Sequence, residues 1–478
     1  MSRLLSIYSK SLFILAAFLF AFIPLYPKFP FLNIAGTFVA VRLEDILIAF
    51  LAVSWAIYIV ISNKLRDLLK DRLAQVLLLF FFIGAVSLIS GIFLTHSVSG
   101  SIGLLHLLRR VEYMILLPIV ATLIQTKKQF IMILITLGAV LLAVNLYALG
   151  QQFLDWPVIS TTNSEFSKGL ILRLTPGARV NSTFAGHYDL AAFLAMALCL
   201  LSALFFAVNK RIKIVVILLF GSSLLVLVMS AARVSFMAAF FGIIAALIFS
   251  KKKKYLIFIF IASLLILLYP SQLRDRFIST ITINILNLGQ RYEGQTQDQH
   301  IRSKLNIPTL AIKTSSRSAE SSTFASPSGS TATDITPGEP LDTTQLGVYR
   351  SFQIRLNIEW PRAVRAFIKN PLLGTGYSSI DIATDNDILR SLGEVGLLGT
   401  FALGLVFIEV GKRIHCCFRD ESKLIKYFSA GVLAIMIAFL INSLFIDVLE
   451  ASKVATLFWM ILGLNLAVLS FPRMRESN

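Results

Sequence analysis

Arginines lie at several points of this chain where the surrounding residues are otherwise apolar or small. Arg179, Arg233 and Arg355 are far apart in sequence, and Arg362 and Arg365 follow Arg355 at helical spacing. A guanidinium presents a planar fork of donors that matches phosphate oxygens, and it stays charged at physiological pH. We therefore predict that these arginines meet around one anionic group such as a diphosphate. For Arg233 the alternative is that its side chain extends to lipid phosphates at a membrane surface.

Candidate acid–base residues follow the arginine-rich stretch. The run Thr384-Asp385-Asn386-Asp387 predicts a helix start, with Thr384 as the N-cap and Asp387 as the third residue of a capping box. The free N–H groups of such a start suit a phosphate or a developing oxyanion. Capping accounts for only one of the two aspartates Asp385 and Asp387, so the other is open to a chemical role, with Asn386 beside it in the predicted site.

The predicted helix carries two more charged residues. Arg390 and Glu394 are four residues apart, and Asn386 shares a face with Arg390. Arg390 is a further candidate ligand of the anion, and Glu394 is a further candidate site residue. The same helix has a stripe of small residues that predicts close helix packing. The stripe consists of Gly393, Gly396 and Gly399.

A histidine stands at the predicted start of another apolar helix. His187 precedes Asp189 by two residues, and residues at i and i+2 point to different faces of a helix. The two are therefore not predicted to act as a dyad. His187 is either an interfacial residue at a helix start or a functional residue of the predicted site.

Charges also interrupt one of the apolar segments, SIGLLHLLRRVEYMILLPI. Arg109, Arg110 and Glu112 lie in it where each charge costs roughly 2.5–3.5 kcal/mol on membrane-insertion scales. Glu112 can pair with Arg109, three residues away, and His106 shares a face with Arg110. The group is either a structural ion pair between helices or part of the lining of a substrate cavity, in which Arg110 is a candidate ligand.

The composition predicts the elements that position these residues. The chain has 478 residues, of which 56% are hydrophobic and 15% charged, with a mean hydropathy of +0.78. Apolar runs of about 20 residues recur, which is the length of a membrane-spanning helix. The sequence therefore predicts an all-α polytopic transmembrane bundle of about twelve spans. The predicted spans are 11–27, 43–62, 73–94, 103–124, 130–154, 187–208, 214–231, 233–250, 255–270, 392–411, 427–446 and 454–470.

The positive charges predict the orientation of the bundle. Short basic connections alternate with the other loops, so the positive-inside rule places them and both termini in the cytoplasm. The bundle over 1–270 then has an outer loop at 155–186. A large extracytoplasmic loop at 271–391 precedes the tenth span, and the last spans occupy 392–478. The first apolar run leads into the multispanning pattern, so we predict a retained span rather than a cleaved signal peptide.

Two sections of the large loop differ in character. Residues 311–345 hold fifteen Ser or Thr and almost no large apolar side chains, which predicts a disordered insertion over about 295–345. The section over about 350–369 combines a cationic face with an apolar face, which is typical of a helix on a membrane surface. Pro361 predicts a kink or a restart within it.

The charge distribution and the cysteine spacing argue against a nucleic-acid-binding, a disulfide-stabilised or a zinc-binding protein. The formal net charge is +18, but the positive residues are spread over short loops, which disfavours nucleic acid as a partner. The three cysteines have neither a disulfide nor a zinc spacing. The run Asp381, Asp385 and Asp387 is too unspecific to predict a metal site, and neither a metal nor a cofactor is expected.

Three segments of the sequence, taken in their order and spacing, resemble those of a known family of membrane proteins. RVNSTFAGHYDLAAFLAMAL is an arginine-plus-small-residue entry to a span, and MSAARVSFMAAF is a short serine/arginine span start. NPLLGTGYSS followed by DNDILRSLGEVGLLG comes after the large outer loop. Together they resemble the O-antigen ligase and O-antigen polymerase-like family of bacterial glycan-assembly membrane proteins. The similarity covers roughly residues 150–411, while the first spans agree only in hydropathy and in VRLED and RRVEY.

This resemblance implies a glycosyltransferase in the bacterial inner (cytoplasmic) membrane that acts on the outer face. It implies that Arg179, Arg233 and Arg355 bind the pyrophosphate of an undecaprenyl-diphosphate-linked oligosaccharide. The bilayer, a chain-length regulator and a flippase are the further partners that it implies. The family's ligases carry a histidine before the asparagine of the last motif. This chain has Asp385 before Asn386, which favours a polymerase over a ligase that transfers the glycan to another acceptor.

The expected reaction is an inverting transfer without a metal. An acceptor hydroxyl attacks the anomeric carbon, the arginines stabilise the departing diphosphate, and Asp385, His187 or Glu394 takes the proton. The alternative from another class is a non-enzymatic transporter of lipid-linked sugars, which also needs many spans and intramembrane charge. Internal repeats with broken helices would favour a transporter, and the sequence shows no such repeat.

Overall fold

Apart from one short strand pair, the secondary structure in the described part of the chain is helical. The computed structural model describes residues 2–33, 40–158, 174, 178–281, 351–380, 383–416 and 422–469. The first helices are α1 (Ser2–Leu25), α2 (Leu43–Ile61), α3 (Leu65–Lys70), α4 (Arg72–Phe93), α5 (Gly100–Leu123) and α6 (Lys127–Phe153). They are followed by α7 (His187–Leu204), α8 (Lys210–Met229), α9 (Arg233–Phe249), α10 (Leu256–Leu268) and α11 (Gln272–Thr280). The last are α12 (Trp360–Lys369), α13 (Asp387–Cys416), α14 (Lys423–Ser443) and α15 (Ser452–Leu469).

The predicted membrane bundle is confirmed in outline. Among the described helices, nine are long and apolar enough to cross a membrane, namely α1, α2, α4, α6, α7, α8, α13, α14 and α15. A tenth span results if α10 and α11, which meet at a bend of 91°, count as one. Each of the twelve predicted spans coincides with a helix, but α5 carries three charges in its middle and α9 has only 17 residues. The protein is therefore a multi-pass membrane protein with nine or ten candidate spans, and twelve stays a prediction.

One short pair of strands departs from the predicted all-α class. The strands β1 (Pro30–Asn33) and β2 (Ala40–Arg42) pair in antiparallel fashion between α1 and α2. They join the ends of two long helices, where extended backbone satisfies its polar groups by pairing. The predicted insertion at 295–345 and most of the outer loop at 155–186 lie outside the described residues.

The centre of the bundle is α15, in which every residue from Ser452 to Val468 is buried. It packs along α5, where Gly463 lies so close to the Leu117 carbonyl that a larger side chain would collide with it. In a second group α7, α9 and α14 pack together, with Gly242 of α9 against Cys199 of α7. Such small residues permit the close helix contacts that are typical of membrane bundles.

Helix α13 is broken in its middle. Gly396 has φ +67° and ψ −168°, which no residue inside a helix adopts. The loop 371–376 lies along the break, where Gly376 N–H donates to the Glu394 carbonyl (2.9 Å) and Leu397 N–H donates to the Pro371 carbonyl (2.9 Å). The segment thus satisfies backbone groups that the break would leave unpaired inside the bundle. The predicted stripe of small residues therefore contains the glycine at which the helix breaks, Gly396, in addition to residues that permit close packing.

The amphipathic helix predicted near 350–369 is present. The chain is helical from residue 351, makes a π-helical turn at Arg355–Glu359 and continues as α12, with Pro361 in its first turn. The predicted restart corresponds to this change from π to α geometry. Ala363 of α12 is buried against Gly393 of α13, which fixes the helix to the bundle. Its predicted position on a membrane surface stays a prediction.

Candidate functional site

Several connections between helices meet at one end of the bundle. They are the segment before α7, the α8–α9 turn, the π-helical turn before α12, the residues that precede α13, and the α14–α15 connection. Charged side chains from these connections contact one another across long distances in sequence. The resulting groups lie where the sequence predicts chemistry.

Arg179, Arg233 and Arg355 come together around Tyr188 and His187, and we call these five residues the arginine cluster. Nη1 of Arg179 lies 2.6 Å from Nε2 of His187, whose ring stacks beside that of Tyr188 with 4.1 Å between the ring centroids. The positive charges of Arg355 and Arg179 lie close enough to act on Arg233. Tyr188 lies close enough to both Arg233 and Arg355 for its hydroxyl group to interact electrostatically with them.

The arginine cluster has an excess of positive charge. Arg233 donates to the Arg276 carbonyl (3.3 Å) and to the Thr280 hydroxyl, which are both uncharged acceptors. In the part of the chain that the structure describes, neither Arg179 nor Arg233 forms an ion pair with a carboxylate. Guanidinium groups that are held together without matching carboxylates provide a site for an anion.

Arg355 differs from the other two arginines because it has a carboxylate partner. Its Nε and Nη2 lie 2.9 Å and 2.6 Å from the same oxygen, Oδ2 of Asp385. Its Nη1 donates to the Ser351 hydroxyl at 3.1 Å. Burial raises the pKa of Asp385, and the positive charge of Arg355 opposes that shift. Arg355 and Asp385 therefore form a partly exposed pair at the edge of the arginine cluster.

The predicted capping box before α13 is wrong. The N-cap is Asn386, whose Oδ1 accepts from the N–H groups of Ile388 (3.1 Å) and Leu389 (2.9 Å). Asp385 has φ +49° and turns the chain, so Thr384 lies outside the helix. Asn386 therefore occupies N–H groups that we predicted to be open to a phosphate, and its function here is structural.

Asp447, in the α14–α15 connection, completes this helix start. Its Oδ2 accepts from Thr384 N–H at 2.8 Å, and its Oδ1 accepts from Asn386 N–H at 3.1 Å. In return, Leu449 N–H donates to Oδ2 of Asp387 at 3.0 Å. The start of α13 is thereby fixed to the start of α15 from both sides.

Arg390, Arg110, Glu394, Asp447 and Glu450 form a second group, which we call the buried ion network. Arg390 lies 3.4 Å from Glu394, 3.1 Å from Asp447 and 3.8 Å from Glu450. Arg110 of α5 pairs with Glu450 and donates to the Leu449 carbonyl at 3.0 Å. The two arginines thus offset two of the three carboxylate charges, and Asp447 in addition accepts from the N–H groups of Thr384 and Asn386.

The buried ion network changes the interpretation of three predicted site residues. Arg110 and Arg390 are paired with carboxylates, so they are not part of the arginine cluster that could bind an anion. The carboxylate of Glu394 is occupied by Arg390 and by Ser378 N–H, which donates at 3.2 Å. All three side chains hold α5, α13 and the α14–α15 connection together.

The remaining predicted arginines lie on α12. Arg362 is near enough to Glu359 for its charge to act on that carboxylate, whereas Arg365 is exposed and lies outside the arginine cluster. Lys369 at the end of α12 donates to the Thr95 carbonyl (2.7 Å) and to the Ser97 hydroxyl (2.8 Å). The cationic face of α12 therefore contributes to the site at its N-terminal end and anchors the helix at its C-terminal end.

The charges of VRLED and RRVEY meet in a third group. Glu112 and Arg109 of α5 lie near Asp45 at the start of α2, and the predicted Arg109–Glu112 interaction is part of this larger set. Close by, Lys28 pairs with Asp189 at 3.3 Å, and Lys453 donates to the Thr183 carbonyl at 2.7 Å. His106 instead lies near the buried ion network, close to Glu450 and Arg390.

Sequence reasoning missed several residues at this end of the bundle. They are Tyr188, Arg276, Glu359, Asp447 and Glu450. A signal exists for Asp447 and Glu450, since the segment FIDVLEASK places two carboxylates between two apolar spans. Within the described residues, no three His, Cys, Asp or Glu side chains are placed to hold a metal ion. Asp381 of the predicted acidic run lies outside those residues.

Comparison with known protein families finds no match to the chain, and no curated protein matches it either.

Proposed function

We propose that the protein is a membrane glycosyltransferase whose donor is an oligosaccharide linked to a polyprenyl diphosphate. The arginine cluster carries this proposal, because it combines guanidinium groups from three separate connections, and two of them have no carboxylate partner among the residues that the structure describes. A diphosphate has the charge and the oxygen geometry to complete such a site. A lipid carrier would bring that diphosphate to the end of the bundle where the cluster lies.

The distribution of lysines supports an extracytoplasmic position for the cluster. Helix α9 begins at Arg233 and ends at Phe249, directly before the four lysines at 251–254. A helix of 17 residues is about 25 Å long, so the lysines and the cluster lie at opposite ends. The positive-inside rule places the lysine-rich end in the cytoplasm. A donor carried on a lipid is then needed, because nucleotide sugars are made on the cytoplasmic side.

The chemistry follows from the charge that develops during transfer. An acceptor hydroxyl attacks the anomeric carbon, and the bond to the diphosphate breaks. Arg179, Arg233 and Arg355 are already in place where the negative charge of the leaving group grows, so no reorganisation is needed at that moment. His187 orients Arg179, and Asp385 orients Arg355 through the contacts described above.

A polymerase and a ligase differ only in the acceptor. Asp385 before Asn386 favours the polymerase, in which the acceptor is another lipid-linked repeat unit. A transporter is the competing class, and the break in α13 is a feature that it would share. In this chain, however, the segment 371–376 fills the break and bonds to it, whereas a transporter uses unwound backbone to line a cavity.

The test is a transfer assay with purified protein in lipid nanodiscs and a polyprenyl-diphosphate oligosaccharide. We expect Arg233→Met and Arg355→Met to lower kcat by about 100-fold or more, because each removes a donor to the leaving group. Arg365→Met is the matched control on exposed α12, and its effect is expected to stay within about threefold of wild type. Long chains on the carrier lipid identify a polymerase, and transfer to another acceptor identifies a ligase.

Two results would overturn the proposal. One is a wild-type protein that moves lipid-linked glycan between leaflets but forms no glycosidic bond. The other is equal activity of the Arg355→Met and Arg365→Met variants. The same assay in EDTA addresses the metal, since activity lost in EDTA and restored by Mg²⁺ or Mn²⁺ would reject the metal-free mechanism.

A further inference from the structure

We propose that Glu359, and not Asp385, receives the proton of the acceptor hydroxyl. This inference rests on the glycosyl transfer proposed above and names the general base of the same site. It starts from a simple requirement, which is that a base must have a lone pair free to accept a proton.

Each of the three bases predicted from the sequence already makes a contact that positions the site. Oδ2 of Asp385 accepts from two nitrogens of Arg355. Nε2 of His187 lies 2.6 Å from Nη1 of Arg179, so the lone pair of that nitrogen faces a guanidinium donor. Glu394 is held inside the buried ion network. For His187 and Glu394, accepting a substrate proton would break such a contact, and a proton on Asp385 would remove the charge that holds Arg355.

Glu359 is differently placed. It ends the π-helical turn that begins at Arg355, so its carboxylate lies four residues from a member of the arginine cluster. Its Oε2 is enclosed by protein, and within the described residues it has no hydrogen-bond partner. Enclosed carboxylate oxygens without a donor are rare because they are costly, and they commonly have a functional reason. An incoming hydroxyl would supply the missing donor.

Four charged side chains act on Glu359, from its own π-helical turn, from α12, from the residues before α13 and from the α14–α15 connection. Asp385 and Asp447 are negative neighbours, while Arg355 and Arg362 are positive ones. Burial and the charge of Asp385 raise the pKa of Glu359 to about 7. A base with this proton affinity is partly ionised at neutral pH and holds the proton firmly once it has received it.

The step balances without another reactant. The acceptor oxygen forms a bond to the anomeric carbon, and the bond between that carbon and the diphosphate oxygen breaks. The leaving diphosphate takes the electron pair and is bound by the arginine cluster. The hydroxyl proton passes to Oε2 of Glu359, and from there to solvent before the next turnover. In this arrangement Asp385 is a positioning residue for Arg355.

The experiment compares Glu359→Gln with Asp385→Asn in the nanodisc transfer assay, with kcat and KM measured from pH 5 to pH 9. For wild type, kcat is expected to fall as the pH drops through about 7, because Glu359 becomes protonated. Glu359→Gln is expected to lower kcat by roughly 10²–10⁴-fold and to abolish this acidic limb, with donor KM little changed. Asp385→Asn is expected to raise donor KM and to keep the limb.

Two further variants test the role of the carboxylate itself. Glu359→Asp keeps the carboxylate and should retain part of kcat, and added formate should partly restore kcat to Glu359→Ala. Donor binding to Glu359→Gln, measured directly with the lipid diphosphate, shows that the variant is folded. If Glu359→Gln keeps both its rate and its acidic limb, the assignment of Glu359 is wrong while the transferase remains. If wild type forms no glycosidic bond, the proposed function fails, and the base assignment with it.

Discussion

Replacing Arg390 by glutamine is expected to be among the most destabilising single changes in the chain. Its side chain is only 4% exposed and lies within 4 Å of carboxylates from Glu394, Asp447 and Glu450. Glutamine keeps much of the volume but removes the charge. Breaking a buried ion pair from one side typically costs about 3–5 kcal/mol, since the remaining charge has no compensation.

The structure shows which carboxylate loses most of its compensating contacts when the charge of Arg390 is removed. Glu450 keeps Arg110, and Asp447 keeps the N–H groups of Thr384 and Asn386. Glu394 keeps Ser378 N–H at 3.2 Å and the charge of Arg110, which forms no ion pair with it within the described residues. The penalty should therefore be concentrated at Glu394, and the double variant Arg390→Gln with Glu394→Gln should recover about 2 kcal/mol of the loss.

The assay is equilibrium unfolding in mixed micelles with increasing denaturing detergent, followed by circular dichroism. Arg413→Gln is the matched control, because Arg413 pairs with Glu409 and Asp71 but is 27% exposed, so the expected loss is about 0–1 kcal/mol. The reasoning is refuted if Arg390→Gln costs no more than Arg413→Gln. It is also refuted if the double variant is less stable than Arg390→Gln alone.

Two further changes test other parts of the structure. Gly396→Ala should lower the free energy of unfolding by about 1–3 kcal/mol, because φ is +67° and a Cβ would collide with the Leu372 carbonyl. Gly404→Ala, with open space around Gly404, is the control and should be neutral or slightly stabilising. Thermal unfolding of both variants tests this difference. Glu359→Gln should leave thermal stability unchanged at pH 5 and raise it by about 1–3 kcal/mol at pH 8. A carboxylate whose folded-state pKa is raised to about 7 lowers the stability of the folded state as the pH rises through that value. If the stability difference between Glu359→Gln and wild type does not grow with pH, the raised pKa of Glu359 is contradicted.

The helices of this fold were predictable because apolar runs of spanning length are a local property of the sequence. The break in α13 was not. A glycine stripe is typical of helix packing, and only the insertion of 371–376 beside Gly396 shows that the backbone changes direction there. The N-cap of α13 was mispredicted for a similar reason. Thr384 fits the capping pattern, but its N–H is bound by Asp447, which lies 63 residues further along the chain.

At the site, residue type was the better guide for arginines than for carboxylates. Arg179, Arg233 and Arg355 stood out because each interrupts a glycine-rich or apolar segment, and the structure brings them together. Arg390 and Arg110 had the same appearance, yet both pair with Glu450, and Arg390 also with Asp447, carboxylates that no local pattern links to them. Glu359 carried no signal at all, because its importance depends on an enclosed oxygen and on neighbours from three other elements.

The pairing of Arg110 with Glu450 also bears on how the chain is made. The two residues are 340 positions apart, and Glu450 belongs to the last connection between spans. A ribosome therefore delivers α5 to the membrane with a cation whose neutralising partner has yet to be synthesised. Until α15 emerges, α5 has either to wait beside the insertion machinery or to enter the bilayer with its charge hydrated. Synthesis of the α14–α15 connection is thus the moment at which the charge of Arg110 can be neutralised.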